Sequence, residues 1–269
     1  MLHMTYKVTS FLLGFDAFCL NKKFLVFNLV SRNLKIKYRR SFFGFFWTII
    51  SPLAISIIYF FVFKIIMKID QQLYLPFILS GVLPWTFFSA SLSEATESIV
   101  NNHNLISKIP VPTHVFPFVV TVTHFSTLIL AFPIILATVW ISGITPELRS
   151  LLCIPFSISL LIICYSFGTV LAMAYVYFRD LKHAIGLILQ VWFYVTPIVY
   201  SKEMIPEKYR FLIFVNPVGP SFIGIQESIV GTQSNLFWVG IGAAFWSFVS
   251  LLLLRLAFKK AHHGLAEVL

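Results

Sequence analysis

Few residues of this chain carry chemistry-bearing side chains in a useful setting. His124 stands near the middle of an apolar run from 115 to 141, where an imidazole serves as a proton relay, a general base or a packed hydrogen-bond donor. Catalysis needs a second positioned group, and the central portions of the apolar runs contain no Asp or Glu. The packed donor is therefore the expected role. His262 and His263 are adjacent but have no further metal ligand near them in sequence. Glu203 and Glu207 are interleaved with Lys202, Lys208 and Arg210, which reads as a solvated charge cluster. Cys19, Cys153 and Cys164 show no CxxC spacing. No GxxxxGK[ST] phosphate loop occurs and the dipeptide Gly-Lys is absent, so any ATP is expected on another subunit. No catalytic, cofactor-binding or metal-binding residue is expected in this chain.

Aromatic rings are what the sequence offers in quantity. Tyr59 and Phe60 close one apolar run, Tyr74 opens the next, and Tyr194 and Tyr200 close a later one. Rings at those depths form an interfacial belt against lipid headgroups. Facing inward, the same rings would be stacking platforms for sugars, whose CH faces lie flat on aromatic surfaces.

The elements that position these residues are membrane helices. The chain has 269 residues, 58% hydrophobic and 11% charged, with 30 Phe and a mean hydropathy of +0.88. Crossing a hydrocarbon core of about 30 Å takes roughly 20 apolar residues. Six segments qualify, at 45–67, 73–91, 115–141, 151–177, 184–200 and 236–254. The runs are continuously apolar rather than alternating, so an all-α polytopic membrane protein is expected. The division is a cytoplasmic arm and interfacial helix (1–44), a six-span domain (45–257) and a cytoplasmic tail (258–269).

Charge sets the orientation. Lys7, Lys22, Lys23, Arg32, Lys35, Lys37, Arg39 and Arg40 precede the first span. Counting alternate loops, fourteen Lys and Arg fall on that side and six on the other. The positive-inside rule places both termini in the cytoplasm. The net charge of +10 flanks spans and is matched to anionic lipid rather than to nucleic acid.

Three segments do not span. Residues 18–38 approximate an amphipathic helix in the interface plane, with Phe24, Phe27, Leu34 and Tyr38 as its apolar stripe and Arg32, Lys35, Lys37, Arg39 and Arg40 as its cations. Residues 94–114 are too polar for the membrane, yet Ile99, Val100, Leu105 and Ile106 are compatible with a short docking helix that Pro110 and Pro112 stop. Residues 201–235 hold apolar runs too short to span, with Asn216-Pro217 and Gly219-Pro220 as the turn of a re-entrant helix pair.

The segment SRNLKIKYRRSFFGFFWTIISP resembles the signature that leads into the first span of type-2 ABC transporter permeases of the polysaccharide-export group. Arg32, Leu34, Lys35, Lys37, Tyr38, Ser41, Gly44, Trp47 and Pro52 match it. The resemblance continues through NLISKIPVP, YFRDLKH and IPEKYRFLIFVNPV and covers nearly the whole chain. It departs after Lys108, where many relatives carry an aromatic residue and then Pro-Arg but Pro110, Val111, Pro112, Thr113 and His114 follow here, and at Gln226-Glu227, where an aromatic-Arg pair is common.

The resemblance implies a homodimeric permease in the bacterial cytoplasmic (inner) membrane, docked to two ATP-binding subunits that hold ATP and Mg. Lipid-linked polysaccharide of the O-antigen, teichoic acid or capsule type would pass between its two copies. It further implies ATPase coupling through Asn101, Asn102, Leu105, Lys108, Arg179 and Asp180, and an outer gate at Asn216 and Pro217. A type-2 permease for a lipid, drug or other small molecule would share the spans. A membrane glycosyl- or acyltransferase would have to work with His124 alone, and a non-catalytic scaffold would need no ATPase.

Overall fold

The computed structural model describes residues 23–37, 44–68, 73–108, 111–231 and 235–261. The expectations that fall on Cys19, Tyr38, Arg39, Arg40, Ser41, Pro110, His262 and His263 lie outside the described residues. Among the described residues the regular structure is entirely helical. The elements are α1 (Lys23–Lys37), α2 (Trp47–Phe60), α3 (Tyr74–Asn101), α4 (His103–Ile106), α5 (Val115–Ile141), α6 (Cys153–Tyr177), α7 (Leu181–Val195), α8 (Phe211–Val215), α9 (Gly219–Val230) and α10 (Leu236–Ala261).

Among the described residues, four helical stretches are long and apolar enough to cross a membrane: Tyr74–Asn101, Val115–Ile141, Leu148–Tyr177 and Leu236–Lys260. The helices in the first and fifth expected spans are shorter, Ile50–Ile66 and Leu181–Val195. α5 keeps the bounds read from the sequence. The second expected span, 73–91, continues ten residues further as helix. Its apolar window ends near Ser91, but Ala95, Thr96, Ser98 and Ile99 stay buried and prolong the packed face. The fifth ends five residues early, because Pro197 forces Thr196 into extended backbone (φ −94°, ψ 132°). In α2, Pro52 lacks a backbone donor, the Ser56 hydroxyl donates to Pro52 O at 2.8 Å, and the helix runs into a π-helical turn, Phe61–Ile66.

α3 is the spine of the protein. It packs against α5 and α6 along its length and against α2, α7 and α9 over shorter stretches. Gly168 of α6 allows one such approach, since a Cβ there would lie 2.8 Å from Ala95 Cβ. The main core joins α3, α5, α6, α7, α9 and α10. Two smaller clusters sit beside it, one around Ile99, Tyr165, Met173 and Leu254 and one joining α1 to α5. Buried hydroxyls along the helices, such as Thr96, Thr121, Thr123 and Thr169, donate to the carbonyl four residues back. They are thereby satisfied within their own helix.

Candidate functional site

α1 and residues from both expected cytoplasmic loops meet one end of α3. Leu25, Val26, Leu29 and Val30 pack on Val111, Val115, Phe116 and Val119 and on Leu105 and Ile106 of α4. Of the stripe expected to be the apolar face of α1, Phe24 and Phe27 are 74% and 68% exposed and Leu34 is half-buried. Arg32 Nη2 donates to Asn102 Oδ1 at 3.3 Å, and Asn102 Nδ2 donates to Ser98 O at 2.8 Å. Lys37 Nζ lies 3.8 Å from Glu94 Oε1, and the other oxygen of Glu94 is 2.8 Å from His124 Nε2. His124 is thus a buried, paired side chain. Its partner was missed because Glu94 reads as a loop acid in the sequence, whereas it lies on the prolonged face of α3. Lys37 and His124 also wall a cleft of about 320 Å³ between α2, α3 and α5.

The second tie runs from Lys182 of α7 to Glu97 of α3, at 3.0 and 3.1 Å to its two oxygens. Partnering with Glu97 raises the Lys182 pKa. Arg179 lies over the Tyr175 ring at 5.3 Å. Asn101, Lys108, Arg179, Asp180, Lys35 and Lys37 are exposed around this junction, while Asn102 and Leu105 are half-buried in it. The proposed docking residues therefore share one end of the molecule.

His114, just before α5, meets the Phe258 ring edge-on at 5.6 Å and so ties α5 to the end of α10. Burial pushes its imidazole down to about 4 from 6.5, so the ring is neutral at neutral pH. The sign follows. The unfolded chain takes up this proton first, so stability is fully present above pH 6.5 and falls as the pH drops toward 4. Protection factors near the end of α10, corrected for intrinsic exchange, are expected to fall as the pH drops between those values, and His114→Phe is expected to remove that step.

At the opposite end of α3, the turn between α8 and α9 is built around Asn216. Trp192 Nε1 donates to Asn216 Oδ1 at 2.9 Å, Val218 N donates to the same oxygen at 3.2 Å, and Asn216 Nδ2 donates to Thr196 Oγ1 at 3.0 Å. Asn216 is itself buried. Tyr74 Oη donates to Val199 O at 2.8 Å, Gln226 Nε2 donates to Ile198 O at 2.9 Å, and Lys202 pairs with buried Glu227. Trp246 Nε1 donates to Phe214 O at 2.7 Å. The segment from 196 to 230 is thus fastened to α3, α7 and α10 by named side chains. Pro217 follows Asn216 within the same turn.

The five candidate channel rings separate in the structure. Tyr74 is 2% exposed, so its ring presents no surface and its hydroxyl holds the 196–200 backbone. Tyr200 is half-buried and donates to Tyr194 O at 2.8 Å. Tyr59 and Phe60 are half-buried on α2, with Phe60 6.4 Å from the Tyr74 ring. Tyr59 stacks on Phe193 at 5.8 Å, and Tyr194, 69% exposed, meets Phe193 edge-on at 5.2 Å. Tyr59, Phe193 and Tyr194 form one aromatic group on the α2–α7 side.

Comparison with known proteins places the chain in a family. The family described as ABC-2 type transporter matches residues 25–230. The chain is similar to the O-antigen export system permease protein RfbA of Klebsiella pneumoniae, at 28% identity over 90% of this chain and 93% of that protein. It is similar to the RfbA protein of Myxococcus xanthus at 30% identity, over 72% and 75% of the two chains. The polysialic acid transport protein KpsM of Escherichia coli is 23% identical over 73% and 78%. The chain belongs to the ABC-2 type transporter family, among the type-2 ABC permeases of the polysaccharide-export group.

Proposed function

We propose that this protein is the permease half of an ATP-driven exporter that moves lipid-linked polysaccharide across the bacterial cytoplasmic membrane. Two copies form the channel and two ATP-binding subunits, carrying ATP and Mg, dock beneath them. The chain crosses six times, with α2 and α7 as its two short crossings, and both termini lie in the cytoplasm. α8 and α9 dip back into the outer leaflet. The relatives' names and the excess of Lys and Arg on one side support this reading.

The observation that carries it is the junction at the end of α3. Arg32–Asn102 ties α1 to that end of α3, Lys182–Glu97 ties the start of α7 to it, and Leu105 and Ile106 of α4 pack with α1. Asn101, Lys108, Arg179 and Asp180 are left outward to meet a partner. A push on α4 would reach α1 and α7 together through these contacts. A glycan cannot cross hydrocarbon, because each unpaired hydroxyl costs several kcal/mol on the order of its transfer energy. It needs a path with weak, repeated contacts.

The reading is tested by purifying the protein with its native partners and asking whether a Walker-motif ATPase accompanies it. Deleting the gene should then trap a lipid-linked glycan on the cytoplasmic leaflet; no ATPase and no trapped glycan would sink the proposal. Tyr59→Ala combined with Tyr194→Ala is expected to cut surface glycan severalfold while the permease still inserts. Surface glycan at the wild-type level would take this aromatic group out of the path. Tyr74→Phe, by contrast, is expected to lower permease level, through loss of the bond to Val199 O.

A further inference from the structure

The cleft between α2, α3 and α5 has a polar end and an apolar end. Lys37 and Trp47 stand at its mouth, at the junction end of α3, and Trp47 is 47% exposed. Ala90 of α3 and His124 of α5 wall the cleft near that end, and both walls continue seven residues deeper, to Leu83 and Ala131. Seven residues are about 10 Å at 1.5 Å per residue, so the cleft leads from headgroup level into hydrocarbon. Phe87 and Leu128 line it between those depths.

The hydroxyls on the walls are turned inward to their own helices. Thr86 Oγ1 donates to Val82 O at 2.9 Å and Thr127 Oγ1 donates to His124 O at 2.6 Å, so neither hydrogen is left for a ligand. His124 Nε2 lies against Glu94. The walls therefore suit a hydrocarbon chain better than a sugar. The mouth differs. An ammonium has three donors, and Glu94, 3.8 Å from Lys37 Nζ, takes at most one of them. The amphipathic indole of Trp47 suits the same headgroup level. We propose that this cleft binds one anionic phospholipid from the leaflet on the Lys37 side, with its phosphate on Lys37 and one acyl chain along Phe87, Leu128 and Ala131. A cation at the mouth and apolar walls behind it match the two parts of that one molecule. A choline headgroup would instead bring a second cation beside Lys37, while Glu94 is already engaged by Lys37 and His124. The acyl chain fills the gap between α2 and the α3–α5 pair and so braces α2. The inference takes from the export reading only the side of the membrane on which Lys37 lies.

The test is lipid binding to the purified, delipidated full-length permease. It is read as lipid retained per chain by native mass spectrometry, and as a rise in the melting midpoint, since a ligand held only by the folded state raises it. The probes are phosphatidylglycerol, phosphatidylcholine, polyprenyl phosphate and inorganic phosphate. One phosphatidylglycerol per chain is expected to stay bound and raise the midpoint, phosphatidylcholine to bind more weakly, and inorganic phosphate, which has no chain, to shift nothing. Lys37→Gln is expected to weaken phosphatidylglycerol about fivefold. Lys35→Gln makes the same charge change at an exposed residue that does not line the cleft, and should have a smaller effect. Ser51→Trp, on the exposed lip of α2, should block the cleft and abolish retention without altering charge.

Equal retention of the two phospholipids would overturn the site. So would equal losses in Lys37→Gln and Lys35→Gln, or undiminished retention in Ser51→Trp. Polyprenyl phosphate displacing phosphatidylglycerol at equal concentration would give the cleft to a lipid carrier instead, and a full midpoint shift from inorganic phosphate would reduce it to an anion site. None of these readouts needs export or an ATPase, so failure of the export reading shows separately, as a permease that purifies without its ATPase.

Discussion

Gly81→Val is expected to abolish export while leaving the long helices in the membrane. Gly81 lies on α3 where the 196–200 segment and α9 press against it. A Cβ there would sit 2.5 Å from Ile198 O, 2.7 Å from Gln226 Nε2 and 3.1 Å from Ile198 Cγ2. The first two atoms are the acceptor and donor of one buried hydrogen bond, at 2.9 Å. Ile198 O is backbone and cannot swing aside, and the Gln226 amide can move only by giving up that bond. The added carbon must displace a backbone carbonyl or break the bond, and valine adds two further methyls. Overpacking of this kind costs about 1–3 kcal/mol, and leaving the buried Ile198 O and Gln226 amide unpaired adds about 1–3 kcal/mol more. Because α3 is packed on almost every side, the strain is released at the lighter partner, the segment from 196 to 230.

The expected result is a permease that inserts, loses surface glycan, and is cut by trypsin at Lys202, Lys208 or Arg210 where the wild type resists. Gly240→Val is the matched control, since a Cβ on Gly240 meets nothing within 4 Å. Indistinguishable behaviour of the two variants would show that the segment is not seated on α3 at Gly81.

Hydropathy made the helices legible but not their burial, and the reason is the solvent. Lipid tails and protein interior are equally apolar, so α10 and α3 both read as spans. Yet the apolar window of α3 is 78% buried within the chain and that of α10 only 22%. The same ambiguity hid which face of α1 packs, since Phe24 and Leu25 are alike to any scale and only α5 distinguishes them. The end of α7 at Pro197 was not legible, since the sequence alone carried the apolar run through it to residue 200. The polar ties were the least legible part. His124 and Glu94 are thirty positions apart, and Glu94 joins the site only because α3 continues past its apolar window. Lys182 and Glu97 belong to different loops by any reading of the sequence, and it takes the packing of α6 on α3 to bring their helices together. Asn216 was legible as a turn residue from Asn-Pro. Its role as the shared partner of Trp192 and Thr196 was not, because both donate or accept from a different helix.

Asn216→Ala is expected to be the most damaging single change in the extracytoplasmic half. The amide serves three partners at once: the Trp192 indole, the Val218 amide and the Thr196 hydroxyl. Truncation removes none of those groups and leaves the first two as buried donors without this acceptor. Water reaches the site poorly, since Asn216 and Thr196 are both buried. Each stranded donor costs about 1–3 kcal/mol, which sums to roughly 2–6 kcal/mol, reaching the upper end of what single substitutions do. Asn216→Asp separates the effects. It keeps an oxygen for Trp192 and Val218, and in the protonated form favoured by burial its hydroxyl donates to Thr196 Oγ1, which keeps its own bond to Trp192 O at 2.8 Å. The remaining cost is that of holding the acid neutral. Asn216→Ala should therefore show a lower midpoint than Asn216→Asp in detergent thermal unfolding, followed by loss of the monodisperse peak. Trp192→Phe should fall between Asn216→Ala and the wild type, because it deletes one donor and its need for an acceptor together. If Trp192→Phe proves as damaging as Asn216→Ala, the indole ring packed edge-on to Phe88 at 5.3 Å carries the stability and the amide does not. If all three unfold with the wild type, the turn between α8 and α9 is held by its apolar contacts alone.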